Sequence, residues 1–296
     1  MNVIRDFSLS LARQIVNFYR FNGLKIANWY FSNWQENYIV YANIGKYRLP
    51  LNINRSSTHR LLALQQEKFI IEREILGKLL RQGDIVFDVG ANIGYMALFF
   101  MDRIGDEGQV FCFEPEEENL KEIRKVISVN SDINISIIDV AIGSNNGEVF
   151  FESGLNGRVS SETGRGRVVK VSRLDCYAEK KPSFIKVDVE GFEGQVLQGM
   201  QELIKEKRPR LFLEIHPHLL KYGISFENIL NMLDGYKTIK AFIPKRPTGL
   251  IPKIWLHYFS ANKTIEIPLQ ELVIRVSEGM INQTFWLVCS PNLWCL

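Results

Sequence analysis

Acidic side chains stand where apolar stretches end, and they are the residues best placed to do chemistry. The first lies in Gly83–Phe100, GDIVFDVGANIGYMALFF, where Asp88, Gly90, Asn92 and Gly94 alternate. The apolar IVFDV before them predicts a strand buried on both faces, and Tyr95–Met101 after them a helix packed on a sheet. Strand, glycine turn and helix start form a cradle: Gly90 lets a backbone approach closely, and the helix N-terminus offers free N–H groups. A dinucleotide site wants Gly-x-Gly-x-x-Gly. Here Asn92 stands where a middle glycine would, and a carboxylate on the turn repels a pyrophosphate. Asp88 suits instead a ligand carrying an ammonium or a sulfonium, which points to S-adenosylmethionine rather than to a nicotinamide dinucleotide.

Further acids follow the same rule. Glu114 closes the apolar QVFCF, 20 residues after Gly94. From there an acid grips the two hydroxyls of a ribose in Rossmann-like sheets, although a loop acid would also cap the next helix. Asn134–Ile138 ends in Asp139-Val140-Ala141. Asp139 is suited to accept from an adenine amino group, and the backbone at Ala141 to read the ring edge. Ser183–Val187 ends in Asp188-Val189-Glu190-Gly191-Phe192-Glu193, and Pro209–Ile215 in His216-Pro217-His218. Asp188, Glu190 and His216 are the candidate bases, His216 because an imidazole titrates near neutral pH. The alternative for His216 is a hydrogen-bonded turn residue before Pro217. The acid density would admit a divalent metal, yet no tight ligand spacing supports one, so no metal residue is assigned. Ligands of open α/β sheets bind outside the carboxyl ends of the strands, where all these residues fall.

The elements that must position them alternate along the chain. Gln65–Arg81 and Glu116–Asn130 have helical periodicity, Gln195–Lys207 continues as one helix, and Phe226–Leu233 is a short one. Tyr236–Ile243 and Thr284–Cys289 are late strands that suit a hairpin with a long insertion. Glu148–Glu152 and Arg167–Val171 suit an antiparallel pair around Ser153–Gly166, a long polar loop that reads as a lid or binding loop or, equally, as a disordered surface loop. Tyr38–Tyr41 and Tyr47–Ile53 suit a hairpin. Ahead of it, Ile4, Phe7, Leu11, Ile15 and Phe18 recur at helical steps. That amphipathic helix suits docking on the domain or on a second subunit; its Arg content and the Trp-rich stretch beyond it also suit peripheral contact with a membrane.

The chain has 296 residues, a net charge of +3, 46% hydrophobic and 23% charged residues. These values suit a soluble globular protein with an ample core. No Lys/Arg run reaches five, which argues against nucleic acid as the main partner. Cys112, Cys176, Cys289 and Cys295 show no metal-type spacing, and Cys112 reads as a small buried hydrophobe in a reducing cytoplasm. No apolar run spans a bilayer, and the N-terminus lacks a signal-peptide pattern.

Taken in order and spacing, FDVGANIGYMAL, FEPEEENL, DVAIG, SRLDCY, IKVDVEGFE and LFLEIHP resemble the FkbM family of S-adenosylmethionine-dependent methyltransferases, from about Glu72 to Leu220. The resemblance implies an α/β, class I methyltransferase (Rossmann-like) fold: a seven-stranded, mostly parallel sheet with its last strand antiparallel and helices on both faces. It divides the chain into an N-terminal extension, 1–60, and a methyltransferase domain, 61–296, with an insertion at about 245–283. It implies that Asp88, Gly90, Asn92 and Gly94 line the methionine end of S-adenosylmethionine. Glu114 would hold the ribose, Asp139 and Ala141 the adenine, and Asp188 would stand near the methyl. The acceptor is expected to be a hydroxyl on a sugar, glycan or natural product. IKVDVEGFE occupies the place of a DPPY-type motif, which disfavours amino methylation. The competing readings are an S-adenosylmethionine-binding regulatory or scaffold protein and an NAD(P)-dependent oxidoreductase.

Overall fold

The computed structural model describes residues 38–53, 59, 62–63, 70–152, 158–160, 166–217, 224–244, 264–281 and 283–292. The expected N-terminal amphipathic helix, His218, most of the loop 153–166 and residues 245–263 lie outside them. The chain divides into two units, residues 1–73 with 245–263 and residues 74–244 with 264–296.

In the first unit, β1 (Ile39–Ile44) and β2 (Tyr47–Asn52) form the expected antiparallel hairpin, with Ile44 opposite Tyr47. Val40, Ala42 and Ile44 are buried while Ile39 and Tyr41 are exposed, the period-two pattern of a half-buried strand.

The second unit is an eight-stranded sheet. Its strands are β3 (Ile85–Val89), β4 (Gln109–Phe113), β5 (Ile135–Ile138), β10 (Phe184–Val187), β11 (Arg210–Ile215), β12 (Thr238–Pro244), β13 (Thr264–Ile267) and β14 (Phe285–Ser290). The order is β13-β12-β14-β11-β10-β3-β4-β5. Strands β5, β4, β3, β10 and β11 run parallel, and β14 inserts antiparallel between β11 and β12. This is the sheet order of the class I methyltransferase fold, with one strand more than expected. The extra strand, β13, pairs antiparallel on the outer edge of β12 and falls within the expected insertion at about 245–283.

Helix α1 (Ile70–Leu79) precedes β3, and between the strands lie α2 (Tyr95–Ile104), α3 (Glu117–Val129), α4 (Glu193–Gln198), α5 (Gln201–Glu206), α6 (Phe226–Met232) and α7 (Leu269–Ser277). Helix α2 is buried almost all round. Helix α3 turns Leu120, Ile123 and Val126 inward. The single helix expected over 195–207 is two. Gly199 interrupts it, where an added Cβ would stand 1.9 Å from the Gly143 carbonyl oxygen. The Asp175 carboxylate then accepts from the Leu203 N–H at 2.9 Å, serving the start of α5.

Aromatic packing fixes the sheet. Phe87 meets Phe111 and Phe113 edge-on, with centroids 5.6 and 5.0 Å apart. At the amino ends of the strands, Asp84 takes the Arg210 guanidinium and the Ser183 hydroxyl. The Leu79 carbonyl takes Arg210 as well, so one buried pair ties β3, β10 and β11 together.

A second, smaller sheet follows β5. Its strands are β6 (Ala141–Ile142), β7 (Gly147–Glu152), β8 (Arg158–Val159) and β9 (Arg167–Ser172), in the order β6-β9-β7-β8. Strands β7 and β9 pair antiparallel, as expected. Phe151, Val159 and Val169 cluster with Ala141 and Phe192 on its buried face.

Candidate active site

The carboxyl ends of β3, β4, β5 and β10 and the small sheet line a cleft, open to solvent, of about 630 Å³. One wall is the turn after β3. Gly90 has φ +84, and an added Cβ would lie 1.9 Å from the Asp188 carbonyl oxygen, so only glycine lets the turn after β3 pass this close to the end of β10. Asn92 also adopts a left-handed backbone, φ 51. Its N–H donates to Glu114 Oε2 at 2.7 Å. Gly94, φ 82, opens α2 and faces the Ile123 side chain rather than the cleft.

Glu114 is the hub of that wall. Its Oε1 accepts from the Glu116 N–H at 2.9 Å and from Asn119 Nδ2 at 3.3 Å. Burial raises its pKa to about 7 against these hydrogen bonds, with the Glu116 charge adding to the rise. Val140, Ala141, Ile142, Phe151, Val159 and Phe192 make the far end apolar. Asp139 is exposed and outside the cleft lining, so at the end of β5 Val140 and Ala141 meet the cleft, not the Asp139 carboxylate.

The near end is acidic. Asp188 and Glu190 line the cleft. Glu190 has φ 54 and is followed by Gly191 at φ 102, a local strain of the kind found at functional sites. Burial raises its pKa, opposed by the His216 charge. Asp88 does not line the cleft. It is fully buried behind it, beside Cys112 and Lys186 in the sheet register. Lys186 Nζ stands 3.1 Å from Asp188 Oδ2 and 3.7 Å from Asp88 Oδ1. Neither Asp88 oxygen has a hydrogen-bond partner among the described residues. Burial lifts the Asp88 pKa to about 6, with Lys186 pulling it down and Asp188 pushing it up. Burial pulls the Lys186 pKa down, but Asp188, Asp88 and Glu214 outweigh it and hold the ammonium charged.

His216 sits beneath the acids rather than in the cleft lining. Its Nδ1 donates to Glu193 Oε1 at 2.8 Å, and its Nε2 lies 3.6 Å from Glu190 and 3.8 Å from Glu214. Burial lowers its pKa, but the Glu193 hydrogen bond and the charges of Glu193, Asp188 and Glu214 outweigh it and raise the value to about 9. At neutral pH it is an imidazolium that braces carboxylates. Glu193 is itself fully buried and takes the Gly191 N–H at 2.9 Å. Asp188, Glu214 and His216 bring ligand atoms within 4.8 Å of one another, the one such group among the described residues. The Lys186 ammonium stands 3.1 Å from Asp188 in this group.

Lys186 and the cover of Phe151 and Val159 are parts that sequence reasoning missed. A signal for Lys186 was present: a lysine inside an apolar strand, two residues before Asp188 and therefore on the same face of the sheet.

The chain resembles known proteins over this same region. The family model described as Methyltransferase FkbM domain matches residues 88–238, just over half of the chain. A hexuronic acid methyltransferase of Haloferax volcanii is 28% identical over 179 residues, which cover 56% of this chain and 69% of that protein. The solved methyltransferase FkbM of Methylobacillus flagellatus KT is 20% identical with TM-score 0.36, over 53% of this chain and 43% of that one. The chain thus spans less than half of that structure's length. An S-adenosylmethionine-dependent O-methyltransferase of Thermotoga maritima is 13% identical with TM-score 0.39, over 76% and 66%. At such scores the fold rests on the sheet order alone. Sheet order, site and family match together place this chain in the FkbM methyltransferase-domain family.

Proposed function

We propose that the protein transfers the methyl group of S-adenosylmethionine to a hydroxyl of a sugar or sugar-like acceptor. One observation carries the cofactor: the cleft has an acidic end, a buried carboxylate midway and an apolar end. That sequence suits a sulfonium, a ribose diol and an adenine. The Haloferax relative, a hexuronic acid methyltransferase by name, supports a sugar acceptor.

When bound, the cofactor supplies a methyl on positive sulfur; its C–S bond breaks with the pair staying on sulfur as the new C–O bond forms. The chain's own residues do the rest. Gly90 and Asn92 supply the backbone wall beside the methionine part. Glu114 accepts from the ribose hydroxyls. The backbone at Val140 and Ala141, with Phe151 and Val159, encloses the ring. Asp188 faces the sulfonium. Glu190 takes the acceptor proton, because it lines the cleft and burial makes it a stronger base than an ordinary carboxylate. His216 keeps Glu190 in place instead of acting as the base. Asp88 acts from behind the wall.

The test is calorimetric titration with S-adenosylmethionine, followed by transfer of labelled methyl to a panel of sugars that includes hexuronic acids. Binding with transfer to a sugar hydroxyl supports the reading. Binding without transfer to any acceptor favours a regulatory binding protein, and transfer to nitrogen overturns O-methylation.

A further inference from the structure

Lys186 is an ammonium inside an otherwise apolar strand, with its side chain 5% exposed. A buried ion pair is weak evidence of stabilisation, since well-packed apolar replacements often do as well. Its two carboxylates are also unequal. Asp88 lies wholly behind the cleft and takes no hydrogen bond among the described residues, although buried polar groups are nearly always hydrogen-bonded. Asp188 lines the cleft, is bonded to Lys186 through Oδ2 only, and leaves Oδ1 without a hydrogen bond among the described residues.

We propose that Lys186 is a positioning residue of the transfer site: wedged between Asp88 and Asp188, it keeps Asp188 ionised and pinned by Oδ2, so that Oδ1 stays a fixed negative atom for the sulfonium. This rests on the S-adenosylmethionine reading above. Without the ammonium, two carboxylates on adjacent strands face each other in a poorly hydrated place. Like charges so placed come to share a proton, and the negative charge facing the cleft falls. The remaining groups compensate only in part. Glu214 on β11, Glu190 on the same loop and Glu193 on α4 are all acids. The other cation, His216, lies within 4.8 Å of Asp188 but is hydrogen-bonded to Glu193 at 2.8 Å, whereas Lys186 is hydrogen-bonded to Asp188 itself.

The site should therefore prefer S-adenosylmethionine over S-adenosylhomocysteine, whose sulfur is neutral, and Lys186 should make that preference independent of pH. Dissociation constants of both are measured by calorimetry at pH 6.5 and 8.5. In the wild type the preference holds within about threefold between the two pH values. In Lys186→Met it falls about tenfold at pH 6.5, the effect of one unit of pKa, and returns at pH 8.5. Lys186→Arg keeps the wild-type preference. The double variant Lys186→Met with Asp88→Asn removes both buried charges, so it is expected to fold even if the single variant does not. It regains the preference at pH 6.5, because Asp188 no longer faces a like charge. A purely structural lysine would change melting temperature and leave these ratios alone. A wild-type ratio in Lys186→Met at both pH values overturns the proposal, as does a double variant that stays deficient. A wild type that binds neither ligand instead sinks the cofactor reading beneath it.

Discussion

Cofactor binding should be linked to a proton on Glu114. Burial holds this carboxyl at about 7 in the free protein, above its ordinary 4.5. A ribose diol donates two hydrogen bonds and so favours the ionised form. Binding below pH 7 must therefore expel the proton. The ionised fraction at pH 5.5 is roughly 3%, so affinity should be about thirtyfold weaker there than at pH 8. Near pH 6.5 roughly 0.8 proton should be released per ligand bound. Calorimetry in two buffers of different ionisation enthalpy reads that number directly. Asp88, held at about 6, adds up to roughly 0.2 proton at pH 6.5, so Glu114 is isolated above pH 7, where about half a proton or less should be released. Affinity that stays flat from pH 5.5 to 8, with no buffer dependence of the heat, would refute the reasoning. The same raised pKa fixes the sign for folding. Glu114 contributes stability below pH 4.5 that is lost as pH rises through 7, in the absence of ligand.

Other expectations follow from single contacts. Glu190→Gln should lower kcat by about 10²–10⁴-fold and leave S-adenosylmethionine affinity unchanged, as steady-state kinetics and calorimetry would show. Gly90→Ala should abolish cofactor binding or folding, since the added Cβ meets the Asp188 carbonyl at 1.9 Å; circular dichroism with ligand titration checks it. Asp84→Ala strands the buried Arg210 charge and should cost about 3–5 kcal/mol in urea unfolding. Cofactor affinity should survive it in native buffer, because Asp84 lies at the amino ends of the strands.

The parallel strands are legible in the sequence because each is a short apolar run closed by an acid and a turn, and the row of acids marks the cleft. Charge states are not legible there. His216 looks like a base near neutral pH, yet its partner Glu193 lies 23 residues away and is brought beneath it only by folding. Asp88 and Asp139 stand at strand ends like Glu114 and Asp188, but one is buried behind the wall and the other is exposed. Strand-end position does not say how deep a side chain lies. At the break, Gly199 leaves no room for a side chain beside the Gly143 carbonyl, a tertiary contact that helical periodicity cannot reveal. Strand β13 owes its place to the open edge of β12, and its TIEI sequence is too short to announce it.

The central claim is that this cleft holds S-adenosylmethionine, and titration of the purified protein tests it most directly. The account predicts a single site per chain for S-adenosylmethionine and no heat from NAD(P)H. Binding of the nicotinamide dinucleotide, or no binding of S-adenosylmethionine at any pH between 6.5 and 8.5, would contradict it.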